Sequence, residues 1–182
     1  MIDAKKLTKE IEIPENVEVM VDEIITVKGE KGENSKRLFY PTVKISKKDN
    51  KIVIEPKKFT KREKKIINTY VAHLKNLIKG VQEAYTYKVK ICSSHFPMSV
   101  SVNGDELIVK NFYGEKVPRR AKIVEGVNVK VNGEEIVING TNKESVGQTA
   151  ANFEKSTRIT NRDRRIFQDG LWIVEKGKWI NY

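Results

Sequence analysis

A single cysteine, Cys92, stands in 182 residues. No internal disulfide can form, and a cytoplasmic rather than a secretory setting is expected. Histidine is nearly as scarce, with only His73 and His95, so a structural Cys/His zinc site lacks ligands. No run approaches the roughly 18 to 20 apolar residues of a membrane span, and the opening Met1-Ile2-Asp3-Ala4-Lys5-Lys6-Leu7 carries an early acid and no apolar h-region. The reading is a soluble, uncleaved protein with no membrane partner. Phosphate-cradling glycine loops are missing as well. Gly29-Glu30-Lys31-Gly32 lacks the Gly-Lys-Ser/Thr ending, and Gly114-Glu115-Lys116 lacks the leading glycine spacing. Cys92 and His95 are three residues apart, but a nucleophile pair needs an orienting third group and a pocket, and Ser93-Ser94 with Phe96-Pro97 reads as a strand end, so a structural role is expected. No carboxylate pair sits in surroundings that would give its members different pKa values. Neither catalysis nor a cofactor or metal is expected.

Acids are the remaining deficit. Lys plus Arg number 35 against 24 Asp plus Glu, a net charge of +11. Such a surplus in a small protein points to an anionic partner, with nucleic acid first. The hydrophobic fraction of 38% is enough for one sizeable core or two small ones at this length.

Alternation comes first along the chain: Val17, Val19 and Val21, then Ile25 and Val27, Val43 and Ile45, Ile52 and Ile54. These read as short strands with one buried face, joined into antiparallel hairpins by turns such as Lys48-Asp49-Asn50. The period then becomes helical from Lys61 to Lys79, where Ile66, Ile67, Tyr70, Val71, Leu74, Leu77 and Ile78 share a stripe. Thr60 and Glu63 form a capping box at its start, and Gly80 is its expected stop.

The same programme then repeats. Ile25-Thr26-Val27-Lys28 has a counterpart 82 residues on in Leu107-Ile108-Val109-Lys110, and Ile52-Val53-Ile54 has one 84 residues on in Ile136-Val137-Ile138. Asn103-Gly104 and Asn132-Gly133 mark hairpins. A second helix is expected from Thr141, capped by Thr141 and Glu144, with Val146, Thr149, Ala150 and Phe153 inward. The fold class is therefore α+β: two duplicated small domains, 1–82 and 83–182, each an antiparallel β-sheet packed on a helix.

Arginine separates the halves. Arg37 and Arg62 are the only two in the first, whereas Arg119, Arg120, Arg158, Arg162, Arg164 and Arg165 fall in the second. A guanidinium binds phosphate through a planar fork and stacks on bases, which a lysine ammonium does not. Lys155, Arg158, Arg162, Arg164 and Arg165 face Asp163 as the lone acid of their stretch. Ser156, Thr157, Thr160 and Asn161 are interleaved with them and suit phosphate and ribose oxygens. The stretch has no clear period and reads as an extended phosphate-binding loop. Lys116, Arg119 and Arg120 form a second cluster, and Lys176 and Lys178 add charge beyond. Asp169-Gly170 reads as a turn with a positive φ at the glycine, with Phe167 and Leu171 to Val174 buried around it.

Arg164-Arg165-Ile166-Phe167-Gln168-Asp169-Gly170-Leu171-Trp172-Ile173, preceded by Gln148 and Arg158, resembles the C-terminal signature of the ribosomal protein L-six family in its archaeal and eukaryotic form. Ser94-His95-Phe96-Pro97 and Asn111-Phe112-Tyr113-Gly114-Glu115-Lys116 with Arg119-Arg120 resemble the opening and the internal loop of that family's second domain. Trp172 stands where tyrosine is commoner. The resemblance implies a non-catalytic structural protein of the large ribosomal subunit. It also implies binding to large-subunit rRNA near the sarcin-ricin loop and stalk base, beside neighbouring ribosomal proteins and docking translational GTPases. Two other readings fit less well. A nuclease wants metal-binding carboxylates that Asp163 and Asp169 do not pair to supply. A free RNA-recognition module wants an aromatic signature that Asn111-Phe112-Tyr113-Gly114-Glu115 lacks.

Overall fold

A computed structural model describes residues 7–177 of the chain, which divide into two compact units meeting between Ala84 and Tyr85. The first unit runs β1 (Lys9–Glu12), β2 (Glu18–Val21), β3 (Ile25–Gly29), β4 (Gly32–Lys36), β5 (Val43–Lys48), β6 (Lys51–Pro56) and helix α1 (Lys61–Glu83). The second runs β7 (Tyr85–Cys92), β8 (Ser99–Asn103), β9 (Glu106–Lys110), β10 (Arg119–Lys122), β11 (Val127–Asn132), β12 (Glu135–Gly140), helix α2 (Lys143–Ser156) and β13 (Gly170–Glu175).

The duplication is visible in the pairing. The first unit has antiparallel sheets ordered β1-β6-β5 and β2-β3-β4, and the second has β7-β12-β11 and β8-β9-β10 in the same arrangement. Each unit thus divides its strands between two sheets rather than one. The repeated segments take equivalent places: Ile25 and Val27 match Leu107 and Val109, and Ile52 and Ile54 match Ile136 and Ile138, all buried. The second unit adds β13, which pairs with the outer edge of β7.

Period explains the cores. Tyr85, Tyr87, Val89 and Ile91 alternate inward along β7, and α2 covers β7, β10, β12 and β13 with Val146, Thr149, Ala150 and Phe153 fully buried. In the first unit α1 buries Ile67, Tyr70, Leu74, Leu77 and Ile78. It does not stop at Gly80: Val81 extends the apolar stripe and is fully buried, so the helix continues to Glu83. Thr60 caps the start, accepting from Arg62 N, and hydrogen bonds from Thr60 and Thr42 hold the Glu63 carboxyl below its ordinary pKa. At α2 the cap is Asn142 rather than Thr141, its Oδ1 accepting from Glu144 N at 2.9 Å. Asn is among the strongest caps because its short side chain reaches the orphan donors of the first turn. The Asn-Gly hairpins are shifted by one residue. Asn103 and Asn132 end their strands, paired with Glu106 and Glu135, and the glycine opens the two-residue loop.

Candidate nucleic-acid interface

Lys155 lies in the last turn of α2, so the basic stretch begins on the helix and only residues 157–169 form an irregular loop. This loop is tied down at several points. At its base Thr157 is buried, and its Oγ1 accepts from Leu171 N at 3.0 Å, closing the loop where β13 starts. Ile159 packs against the core of the second unit. At the tip Asp163 folds a turn, its carbonyl accepting from Ile166 N and Phe167 N at 3.1 and 2.9 Å. Asn161 takes a left-handed φ of 60°, which asparagine tolerates better than most residues.

Asp169 fastens the far end. Its carboxylate is buried and accepts from Ser94 N and His95 N, each at 2.9 Å, from the Ser94 hydroxyl, and from His95 Nδ1 at 3.1 Å. Burial by itself would raise the pKa. The four hydrogen bonds outweigh that effect and hold the carboxyl well below the usual range. Asp169 N donates in turn to the Tyr113 hydroxyl at 3.2 Å. The Asp169-Gly170 pair is therefore not a reversing turn: Gly170 opens β13 opposite Cys92, and of the expected Leu171 to Val174 run only Leu171 is buried, with Trp172 and Ile173 half-buried and Val174 exposed. Phe167 is half-buried, with His95 stacked on it at 5.3 Å.

Gly170 does have the positive φ, +149°, and a Cβ built there would lie 3.1 Å from Thr157 Oγ1. Gly170→Val is expected to cost about 1–3 kcal/mol, to break the Thr157–Leu171 closure and to weaken RNA binding with it. Urea unfolding and binding of the same variant check both. Parent-like stability with lost binding would instead place Gly170 against the RNA.

The site residues expected from sequence separate into distinct roles. Lys155, Arg158, Arg162, Arg164 and Arg165 are all exposed. Arg165 is forked onto Asp163 at 2.8 Å, which lowers the Asp163 pKa, and Arg162 and Arg164 lie over aromatic rings. A cleft beside the loop is lined by Lys155, Arg158 and Arg164, by the acids Glu154 and Asp169, and by Thr157, Ile159, Phe167, Leu171 and Trp172. The second cluster does not hold together. Arg119 and Arg120 are neighbours on β10, so their side chains leave opposite faces. Arg120 points out with Glu106 at 3.5 Å, whereas Arg119 is turned inward.

Arg119 is bound as a strut. Nε and one terminal nitrogen donate to the Glu115 carboxylate at 2.7 and 2.6 Å, and the other donates to Ser156 O and Arg158 O at 3.0 and 3.1 Å. The guanidinium also lies 4.3 Å from the Phe112 ring centre. Phe112–Gly114 is a 3-10 turn with Phe112 fully buried. Arg119 thus joins the internal loop, the C-terminus of α2 and the arginine loop. Lys116 and Lys176 are exposed, and Lys178 lies outside the described residues. Sequence reasoning missed Ser94, His95 and Asp169 as the fastening, and the only hint of the strut was the Glu115–Arg119 spacing of four.

The sequence matches the family Ribosomal protein L6 over residues 13–84 and again over 96–170, one stretch in each unit. The chain belongs to the ribosomal protein L6 family. Large ribosomal subunit protein uL6 of Methanobrevibacter smithii is 46% identical over 177 residues, 97% of this chain and 99% of the relative. That of Methanococcus vannielii is 48% identical over 175 residues, 95% and 96% of the two chains. As a ribosomal protein L6 the chain is a structural constituent of the large subunit and not an enzyme. The second L6 match runs through the whole arginine loop and ends at Gly170. Among the described residues of this L6 chain, no three His, Cys, Asp or Glu come together as a metal site.

Proposed function

We propose that the protein binds large-subunit ribosomal RNA through the 157–169 loop of its second unit, near the sarcin-ricin loop and stalk base. There it supports subunit assembly and translation in the cytoplasm, beside neighbouring ribosomal proteins and docking translational GTPases. The two units serve as independently folding domains, close to 1–82 and 83–182. One observation carries the reading: four exposed arginines on a loop whose base and far end are pinned. Pinning removes loop entropy before binding, so the loop gives up less on meeting phosphate. Arg158, Arg162, Arg164 and Arg165 are the principal contacts, with Lys155, Asn161, Lys116, Arg120, Lys176 and Lys178 contributing charge or polar groups. Arg119 serves by holding the loop.

Chemical footprinting of large-subunit rRNA with and without the protein tests the location, and protection confined to another region would overturn it. Replacing Arg164 and Arg165 together by Ala should impair incorporation into large subunits and leave folding cooperative. It should also reduce the magnitude of the log-log salt slope by roughly 0.7–0.9 for each phosphate no longer neutralised. The Lys double variant should recover only a fraction of the affinity, because charge returns without the fork. Full recovery would mean that net charge alone matters.

A further inference from the structure

Two arginines of the loop are held in a manner that phosphate binding does not require. Arg162 lies over two rings at once, 5.1 Å from the centre of Tyr113 and 5.0 Å from that of Phe167. Arg164 lies 5.5 Å from the ring centre of Trp172, whose indole N–H donates to Gln168 O at 2.9 Å. The rings under Arg162 are fixed in turn. Tyr113 and Phe167 meet edge to face at 5.8 Å, His95 stacks on Phe167 with 23° between the planes, and Asp169 N anchors the Tyr113 hydroxyl. Phosphate is satisfied by a mobile cation. A guanidinium held against aromatic rings instead offers its uncovered side as a planar, weakly hydrated surface.

A second exposed ring lies beside the residue that follows Tyr113. Phe96 is 47% exposed and lies 3.8 Å from where a Cβ on Gly114 would stand, next in sequence to Tyr113. Flat faces set among cations are the means by which proteins hold bases that have left a helical stack. We propose that Arg162 on its Tyr113–Phe167 base, together with Phe96, is a stacking subsite for an unpaired nucleobase of the RNA. This rests on the rRNA reading above and goes further, since it makes this corner of the interface selective for unpaired over duplex RNA.

The test uses the full chain with two probes of equal length at one salt concentration: a single-stranded oligoribonucleotide and a fully paired RNA duplex. Arg162→Lys keeps the charge and loses the plane; Phe96→Leu keeps apolar volume and loses the ring. Phe96→Leu should weaken single-strand binding about tenfold and leave duplex binding within about twofold. Arg162→Lys, which also loses a phosphate fork, should weaken both probes, but the single strand about tenfold more than the duplex; the salt slope should stay unchanged in both variants. A 2-aminopurine in the single strand should be quenched by the parent and less so by Arg162→Lys. Parent-like single-strand binding by both variants, or equal weakening on the two probes, would overturn the subsite. If the parent protects rRNA in footprinting while the variants behave normally on both probes, the stacking subsite fails alone. If the parent binds neither rRNA nor either probe, the RNA reading fails with it.

Discussion

Asp169→Asn is expected to destabilise the protein by about 2–3 kcal/mol at neutral pH and to cost most of its RNA affinity. The buried carboxylate takes hydrogen bonds from both Ser94 and His95 backbone N–H groups. An amide replaces one oxygen with a donor, so a buried N–H faces another N–H and both go unsatisfied, at about 1–3 kcal/mol for such a group. The loop then loses its far anchor while its arginines stay in place. Affinity should therefore fall without a matching change in the salt slope, because the number of cations is unchanged. The pH dependence has a definite sign. The folded carboxyl ionises below the ordinary aspartate value, roughly 3.9 in an unfolded chain, so the unfolded state takes up protons first as pH falls. The stabilisation is whole above about pH 4 and drains away as pH drops toward the folded pKa. Urea unfolding of parent and variant at pH 7 and pH 3 should show the gap between them narrowing at pH 3. A gap of equal size at both would remove the carboxylate charge as its source.

Local features were the legible share of this fold. Strand alternation and the Leu74–Leu77–Ile78 stripe depend on neighbours a few residues away, and so does the Val146–Thr149–Ala150–Phe153 face of α2; most of the expected positions are buried, while Val21, Val43, Ile45, Ile66 and Val71 pack only partly against the core. The duplication was legible for the same reason, since matched periods in matched order bring Ile52 and Ile136 to equivalent places. Boundaries were less so. Gly80 reads as a stop only if nothing beyond it has a core to enter, and Val81 has one. Thr141 is the cap of α2 expected from sequence, and Asn142 takes that place because it is the last residue with an extended backbone before the helix. Within the candidate interface, exposure of the arginines of the 157–169 loop followed from composition. Their fastening did not: Ser94 and Asp169 are separated by 75 residues, and β13 becomes a strand only by pairing with β7. Ser156 and Thr157, expected to face RNA oxygens, instead bond inward to Phe153 O and Leu171 N.

The strut leads to an expectation opposite to that of simple electrostatics. Glu115 is an exposed acid on a basic protein, and a surface that attracts phosphate through net charge should bind RNA more tightly once that acid is neutralised. Glu115→Gln is nevertheless expected to weaken RNA binding, by roughly fivefold to tenfold, equivalent to the loss of about one to one and a half kcal/mol. The reason is the Arg119 fork. Arg119 hydrogen-bonds both Glu115 oxygens, an arrangement that holds the Glu115 pKa below its ordinary value, and its remaining donors reach Ser156 O and Arg158 O. Removing the carboxylate charge loosens the guanidinium and with it the start of the arginine loop. Arg119→Lys should act in the same direction despite keeping its charge, because a single ammonium cannot span the carboxylate and two carbonyls. It should also cost about 2 kcal/mol of stability from charge-assisted hydrogen bonds. The salt slope separates the two explanations: both variants should lower affinity with the slope preserved, since neither removes a cation. Tighter binding by Glu115→Gln would show that the acid only repels phosphate. Parent-like affinity in Arg119→Lys would show that the side chain acts by charge alone.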